Sequence, residues 1–507
     1  MRLGWIALML LVLSALVACS EPEPDVIRMG LATAPLNLDP RYATDATSER
    51  VNRLLFQRLV EFDTHGEPVP GVAEWRQLSP RHYRFTLTAA AGEFVTGDRL
   101  TVEDVIATYR FVLDPANASP LRDALSLIER LEVVDAQRFD LFLERPDPLL
   151  PAYMTLNLLP AELLASGHPF SVHPVGSGPF RLLDASQPGM LLLERREDAQ
   201  RFRLLEVKNP TVRALKLLRG EIDLLQNDLS PELLDYLKRE GEGSHFQLPG
   251  SNFTYIGFNL QDPALSDPRV RRAIAHAINR EAIIERVMRG AARTAETLFP
   301  PEHWAGDPGL KPYAYDPVRA RRLLEAAGYG PQRPLRLVYK TSSDPFRIRL
   351  ATIIQSQLKA VGIEVALRSY DWGTFFGDIK AGNFQLYSLS WVGLRTPDIF
   401  RYIFASDALP PAGANRGRYA SERVDSLLRL AEQAPNLQRQ ADYYRQVAEQ
   451  LHADLPYVPL WFEDQYAIQG PRVVGFNLSP DGNYDGLLKM HFTDARESSD
   501  APTAAAH

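Results

Sequence analysis

The sequence predicts an α/β protein with more than one domain. Between residues 334 and 391 the apolar spacing alternates between strand and helix periods, giving strand, helix, strand, helix, strand. At 507 residues the chain is also too long for a single hydrophobic core. The hydrophobic fraction of 45% and charged fraction of 23% are those of an ordinary globular protein. A formal charge of −7 argues against a nucleic-acid partner, which requires a basic face.

The first strand is expected over residues 26–31. A helix is expected over 47–62, where Val51, Leu54, Leu55 and Leu59 keep helical spacing and Thr47 or Ser48 can cap. Residues 83–88 alternate as a strand. Thr101 opens a helix whose first turn holds Glu103 and Asp104, which suit the positive end of the helix dipole. Residues 131–134 and 138–143 form a hairpin, and 211–219 form a helix closed by Gly220. Residues 252–260 are extended. From Pro268, the residues Val270, Ile274, Ala277, Ile278, Ile284, Val287 and Met288 share one face of a helix that stops at Gly290. His276 falls beside this stripe as a packed core residue.

In the alternating segment, residues 335–339, 363–367 and 384–389 are strands, with helices over 346–361 and 371–380. Such β-α-β units give parallel strands, and open α/β sheets bind ligands outside the carboxyl ends of their strands. Those ends carry Lys340, Thr341 and Ser342, then Asp371 and Trp372, then Trp391 and Arg395. Aromatic walls with a few polar groups suit a small-molecule cleft; the competing reading is that the tryptophans only pack and the charges are only solvated.

The N-terminus has a short positive start, an apolar run over residues 3–17, and then Ala18-Cys19-Ser20. The run is short for a membrane span and reads as an export signal. It resembles a bacterial lipoprotein signal, in which Cys19 is acylated and becomes the first mature residue. Cys19 is the only cysteine, so no disulfide can form within the chain. Residues 19–25 read as a tether, and 496–507 as a polar disordered tail.

A run of short motifs then appears in order. They include Leu36-Asn37-Leu38-Asp39-Pro40, Pro70-Gly71-Val72-Ala73-Glu74-Trp75, Val175-Gly176-Ser177-Gly178-Pro179-Phe180, Asp267-Pro268-Arg269-Val270-Arg271 and Leu455-Pro456-Tyr457-Val458-Pro459. Together they resemble the extracytoplasmic solute-binding proteins of peptide, oligopeptide and nickel importers (family 5), from about residue 26 to 492. The resemblance implies a two-lobe, type II periplasmic-binding-protein fold. Lobe one would comprise 26–254 and 465–495, with an extra subdomain near 42–172; lobe two would comprise 255–464. Two hinge strands, 252–260 and 457–468, would join them. It implies a monomer that captures a short peptide or small molecule and hands it to separate ABC permease subunits, with no cofactor, at the membrane through its lipid.

The resemblance also places Trp372 on the cleft wall and lets Asn37 and the Ser177-Gly178 backbone approach the ligand. Peptide-binding relatives carry an acid three residues after the tryptophan matching Trp391, where it pairs with the ligand ammonium; here that position is Leu394. Asp371, Asp39 or Asp398 could serve instead, or Arg395 could favour a carboxylate. No Gly-x-Ser-x-Gly elbow or His-Glu-x-x-His motif occurs, so no enzyme is expected; with no phosphate-binding loop either, the importer's ATPase is expected on a separate chain. An importer-independent sensory or accessory binder, or a binder of a nickel complex, opine or sugar-like solute, remains the alternative.

Overall fold

The computed structural model describes residues 25–493. Cys19 and the segment 496–507 lie outside them. An eleven-stranded mixed sheet runs through the molecule. Its order is Ile363–Tyr370, Leu335–Ser342, Leu386–Trp391, Ser244–Phe258, Tyr457–Gln469, Leu224–Gln226, Val26–Leu31, Arg201–Glu206, Met190–Arg195 and Phe180–Asp184, with Ala292–Thr294 also paired to Tyr457–Gln469.

The two longest strands, Ser244–Phe258 and Tyr457–Gln469, lie antiparallel at its centre. They divide the molecule into two halves, called lobe one and lobe two. Their alternation feeds both faces of lobe two: Ile256, Phe258 and Trp461 enter one apolar core, and Phe253, Tyr255 and Phe462 the other. The same alternation covers both faces of the lobe-one sheet, where Ala467 and Ile468 enter different cores. The ladder between the long strands shifts register twice, the smaller shift falling at Leu460, between the pairs Thr254/Trp461 and Tyr255/Pro459. Between the pairs Leu248/Gln465 and Asn252/Glu463, residues 249–251 face Asp464 alone.

The β-α-β-α-β segment has the expected form. Leu335–Ser342 pairs in parallel with Ile363–Tyr370 and with Leu386–Trp391, and helices Pro345–Ala360 and Trp372–Ala381 connect them. A separate four-stranded antiparallel sheet, in the order Ala73–Ser79, His82–Leu87, Arg138–Leu143, Ile128–Val133, packs on helix Val102–Leu113 to make a core of its own. Thr101 and Asp104 close that helix with a reciprocal capping box. His276 is buried, with Nδ1 2.8 Å from the Ala314 carbonyl.

Two helices differ from expectation. The first is Ala46–Leu55, capped by Asp45, and the chain is extended from Phe56. Leu59 keeps the helical spacing but belongs to a different core from Val51 and Leu54. The helix expected from Pro268 to Gly290 is two helices, Pro268–Ala277 and Arg280–Arg286, broken at Ile278. Asn279 caps the second through Ala282 N, and its own N–H donates to Gln357. Both helices face one core, so the apolar stripe continues across the break.

Buried charge ties lobe one together. The Arg28 guanidinium lies 3.0 Å from Asp223; Arg28 N also donates to the Asp223 carboxylate, and Asp223 N donates to the Arg28 carbonyl. Removing one partner of a buried pair leaves the other uncompensated. Asp223→Ala is therefore expected to lower stability by about 3 kcal/mol, read as a lower urea midpoint by circular dichroism.

Candidate functional site

A cavity of about 410 Å³ lies between the lobes. Lobe one supplies Arg53, the turn 63–66, Asp481 and Asp485; lobe two supplies His303 and Arg395; residues 249–251 of the long strand also line it. The lobes touch at its mouth. His65 Nδ1 lies 3.0 Å from the Glu302 carbonyl, and Trp304 N donates to the His65 carbonyl at 3.1 Å. Elsewhere Arg349 of lobe two pairs with Glu232 of lobe one at 2.6 Å. This is a closed arrangement.

His303 fixes the lobe-two side. Its Nε2 donates to the Arg395 carbonyl at 3.0 Å, while its Nδ1 accepts from Ala305 N at 3.1 Å. Those two bonds define a neutral imidazole. Burial agrees, pushing its pKa down to about 4. The Arg395 side chain reaches across to lobe one. It stands 3.9 Å from Asp481 and over the Phe62 ring at 5.8 Å, and its guanidinium forms no hydrogen bond among the described residues. Arg53 is by contrast saturated, at 2.7 Å from Glu61 and 2.8 Å from Asp485. Burial pushes the Glu61 carboxyl up, against the charges of Arg53 and Arg395.

A second, smaller cavity of about 160 Å³ lies at the carboxyl ends of the lobe-two strands. It gathers the expected Thr341, Ser342 and Trp372 with Thr254, Arg347 and Ser390. Thr254 Oγ1 meets Ser390 Oγ at 2.6 Å and Glu463 at 3.0 Å, and Arg347 neutralises Glu463 at 3.0 Å. The cavity is thus polar without net charge. Trp372 is 59% exposed and stacked on Phe376.

The remaining expected residues are placed differently. Lys340 is engaged by Asp378 at 2.6 Å. Asp371 is the N-cap of helix Trp372–Ala381, accepting from Thr374 N, and those bonds hold its carboxyl below the usual range. Trp391 lies opposite Phe253 in the ladder, with the Arg416 guanidinium 4.9 Å above its ring. Asn37 accepts from Asp39 N within its own turn. Ser177 and Gly178 line a separate open groove with Gln57 and Arg196. A Cβ on Gly178 would stand 2.4 Å from the Leu55 backbone, so glycine there serves chain packing. Asp398 lines neither cavity; it directly precedes helix Ile399–Phe404, and burial raises its carboxyl. Arg53, Asp481 and Asp485 were not anticipated; they come from distant segments whose convergence leaves no local pattern. The turn 63–66 was readable as turn chemistry, with Asp63 accepting from His65 N and Glu67 N.

The model for "Bacterial extracellular solute-binding proteins, family 5 Middle" matches residues 67–408. The chain belongs to family 5 of these solute-binding proteins. Di/tripeptide-binding protein 2 of Pseudomonas aeruginosa is 26% identical to this family 5 protein, over 93% of this chain and 96% of that one. Heme-binding protein A of Haemophilus influenzae is 26% identical, over 90% of each. The structure of NikZ from Campylobacter jejuni in complex with Ni(L-His) superposes with a TM-score of 0.77 at 22% identity, covering 92% of this chain and all (100%) of that one. The fold of the family 5 protein is the two-lobe, type II periplasmic-binding-protein fold.

Closure rests on a tight fit at the mouth. Gly66 has φ +77°, and a Cβ there would lie 2.5 Å from His303 Nε2. Gly66→Val is expected to hold the lobes apart, seen as a larger radius of gyration by X-ray scattering with secondary structure unchanged; an unaltered radius would show that the turn does not control closure.

Proposed function

We propose that this protein captures a peptide or peptide-like solute between its lobes and delivers it to the permease of an ABC importer, held at the membrane by lipid on Cys19. The observation that carries the reading is the interlobe cavity, walled by both lobes and floored by one of the two long strands that join them. Relatives named for di- and tripeptide binding, matching over nearly the full length, support the peptide class. Arg395, with free donors, suits a ligand carboxylate. Thr341, Ser342 and Trp372 suit a neutral polar group seated on an aromatic face. Leu394 is packed into the apolar core and offers no grip on an ammonium.

A binding protein of this fold gains affinity by shifting an open–closed equilibrium toward the closed form. Permease recognition of the closed form would then couple capture to transport.

Native mass spectrometry of gently purified protein is expected to show a bound short peptide or peptide-like solute. Titrating that solute by calorimetry, Arg395→Ala and Trp372→Ala are each expected to weaken binding about tenfold or more, at unchanged melting temperature. Unchanged affinity in both would sink the site. Cys19→Ala is expected to move the protein from the membrane to the soluble fraction.

A further inference from the structure

The charged side chains that line the interlobe cavity differ in whether each already has a partner. Arg53 is held by Glu61 and Asp485, and Arg293 by Glu302. His303 is neutral and bonded at both ring nitrogens. His65 Nδ1 is taken by the Glu302 carbonyl. Asp63 is exposed and accepts from two N–H groups of its own turn. One cation and one anion remain: Arg395 of lobe two and Asp481 of lobe one.

Asp481 is only half committed. Its Oδ1 accepts from Ser479 Oγ at 2.7 Å and from Asn483 N at 3.1 Å, which holds the carboxylate in place. Its Oδ2 has no hydrogen bond among the described residues and faces Arg395 Nη2 at 3.9 Å, beyond hydrogen-bond reach. Both side chains line the cavity and stay accessible, Arg395 at 38% and Asp481 at 35% exposure. Burial pushes the Asp481 carboxyl up, but the bonds from Ser479 and Asn483 and the charges of Arg395 and Arg53 outweigh it and bring it below the usual range. The acid is therefore ionised at neutral pH.

We propose that Arg395 and Asp481 together recognise a free α-amino-acid head, with its carboxylate on Arg395 and its ammonium on Asp481. The assignment rests on the proposed capture of solute in the interlobe cavity, and it narrows the peptide-like class to solutes carrying that head.

The spacing decides the class. The two protein charges stand side by side, so a partner must offer two charges side by side to oppose both. An α-amino-acid head does so, because its ammonium and carboxylate share one carbon. Four charges then alternate in sign, and a loose pair gives way to two charge-assisted contacts. A linear peptide sets its terminal charges apart by further backbone repeats of about 3.5 Å each, so this pair can oppose only one end. A carboxylate without the ammonium would draw on Arg395 but stand against ionised Asp481, which disfavours it. The class thus comprises free amino acids and peptides linked through a side chain, whose first residue keeps both groups. Because the two residues belong to opposite lobes, seating the head also joins the lobes.

The test compares γ-glutamyl-alanine with α-glutamyl-alanine by calorimetry on the full chain. The two are isomers of equal net charge, and only the γ-linked one keeps its ammonium and a free carboxylate on the same carbon. The γ-linked isomer is expected to bind about tenfold or more tightly than the α-linked one. Asp481→Asn and Arg395→Gln, each folded by melting temperature, are each expected to erase that preference. No binding of the γ-linked isomer at millimolar concentration, equal or tighter binding of the α-linked one, or a preference that survives both substitutions overturns the assignment. Binding of the α-linked isomer without preference would leave the peptide reading standing. A protein that takes neither isomer and carries no solute in native mass spectrometry would lose both.

Discussion

The antiparallel pairing of Ser244–Phe258 with Tyr457–Gln469 is the constraint on which everything else rests. It is the seam of a sheet that continues into both lobes. Each strand places alternate side chains into cores on opposite faces, so Phe253 and Ile256 belong to different interiors although three residues apart. The cavity between the lobes takes its floor from one of these strands.

Lobe two is readable in the sequence because its period changes sharply. Strands of alternating Leu335, Leu337 and Tyr339 give way to a helix at Pro345, and the edge rule brings Thr341, Ser342 and Trp372 together as expected. The errors share one cause: an apolar stripe records burial, not which core does the burying. Leu59 continues the spacing of Val51 and Leu54 into another interior, and the break at Ile278 is hidden because both helices face the same one. Caps mislead similarly. Asp371 stands at a strand end, where a ligand contact is expected, yet its carboxylate is spent on Thr374 N. Half of the cavity wall is invisible to sequence, since residues 53, 63–66 and 481–485 meet only through the fold.

The charges of the cleft are organised by how completely each is already paired. Arg53 is enclosed by Glu61 and Asp485, and Arg347 by Glu463, so these guanidiniums hold shape. Arg395 is different. Its backbone is pinned by a neutral imidazole while its side chain crosses to the opposite lobe and meets Asp481 only loosely. Rigid backbone with uncommitted donors is the arrangement expected of a group that waits for a partner.

The lapse in the central ladder gives the molecule a mechanical character. Backbone hydrogen bonds resist bending, and between Leu248 and Asn252 they are interrupted. Rotation of the lobes about this point would be taken up over three residues, with a second, one-residue irregularity in the ladder at Leu460. Those residues, Pro249, Gly250 and Ser251, are also part of the cavity lining. The flexure is therefore in direct touch with whatever fills the cleft. An occupant that packs against it stiffens the joint itself, and occupancy is converted into rigidity without a relay.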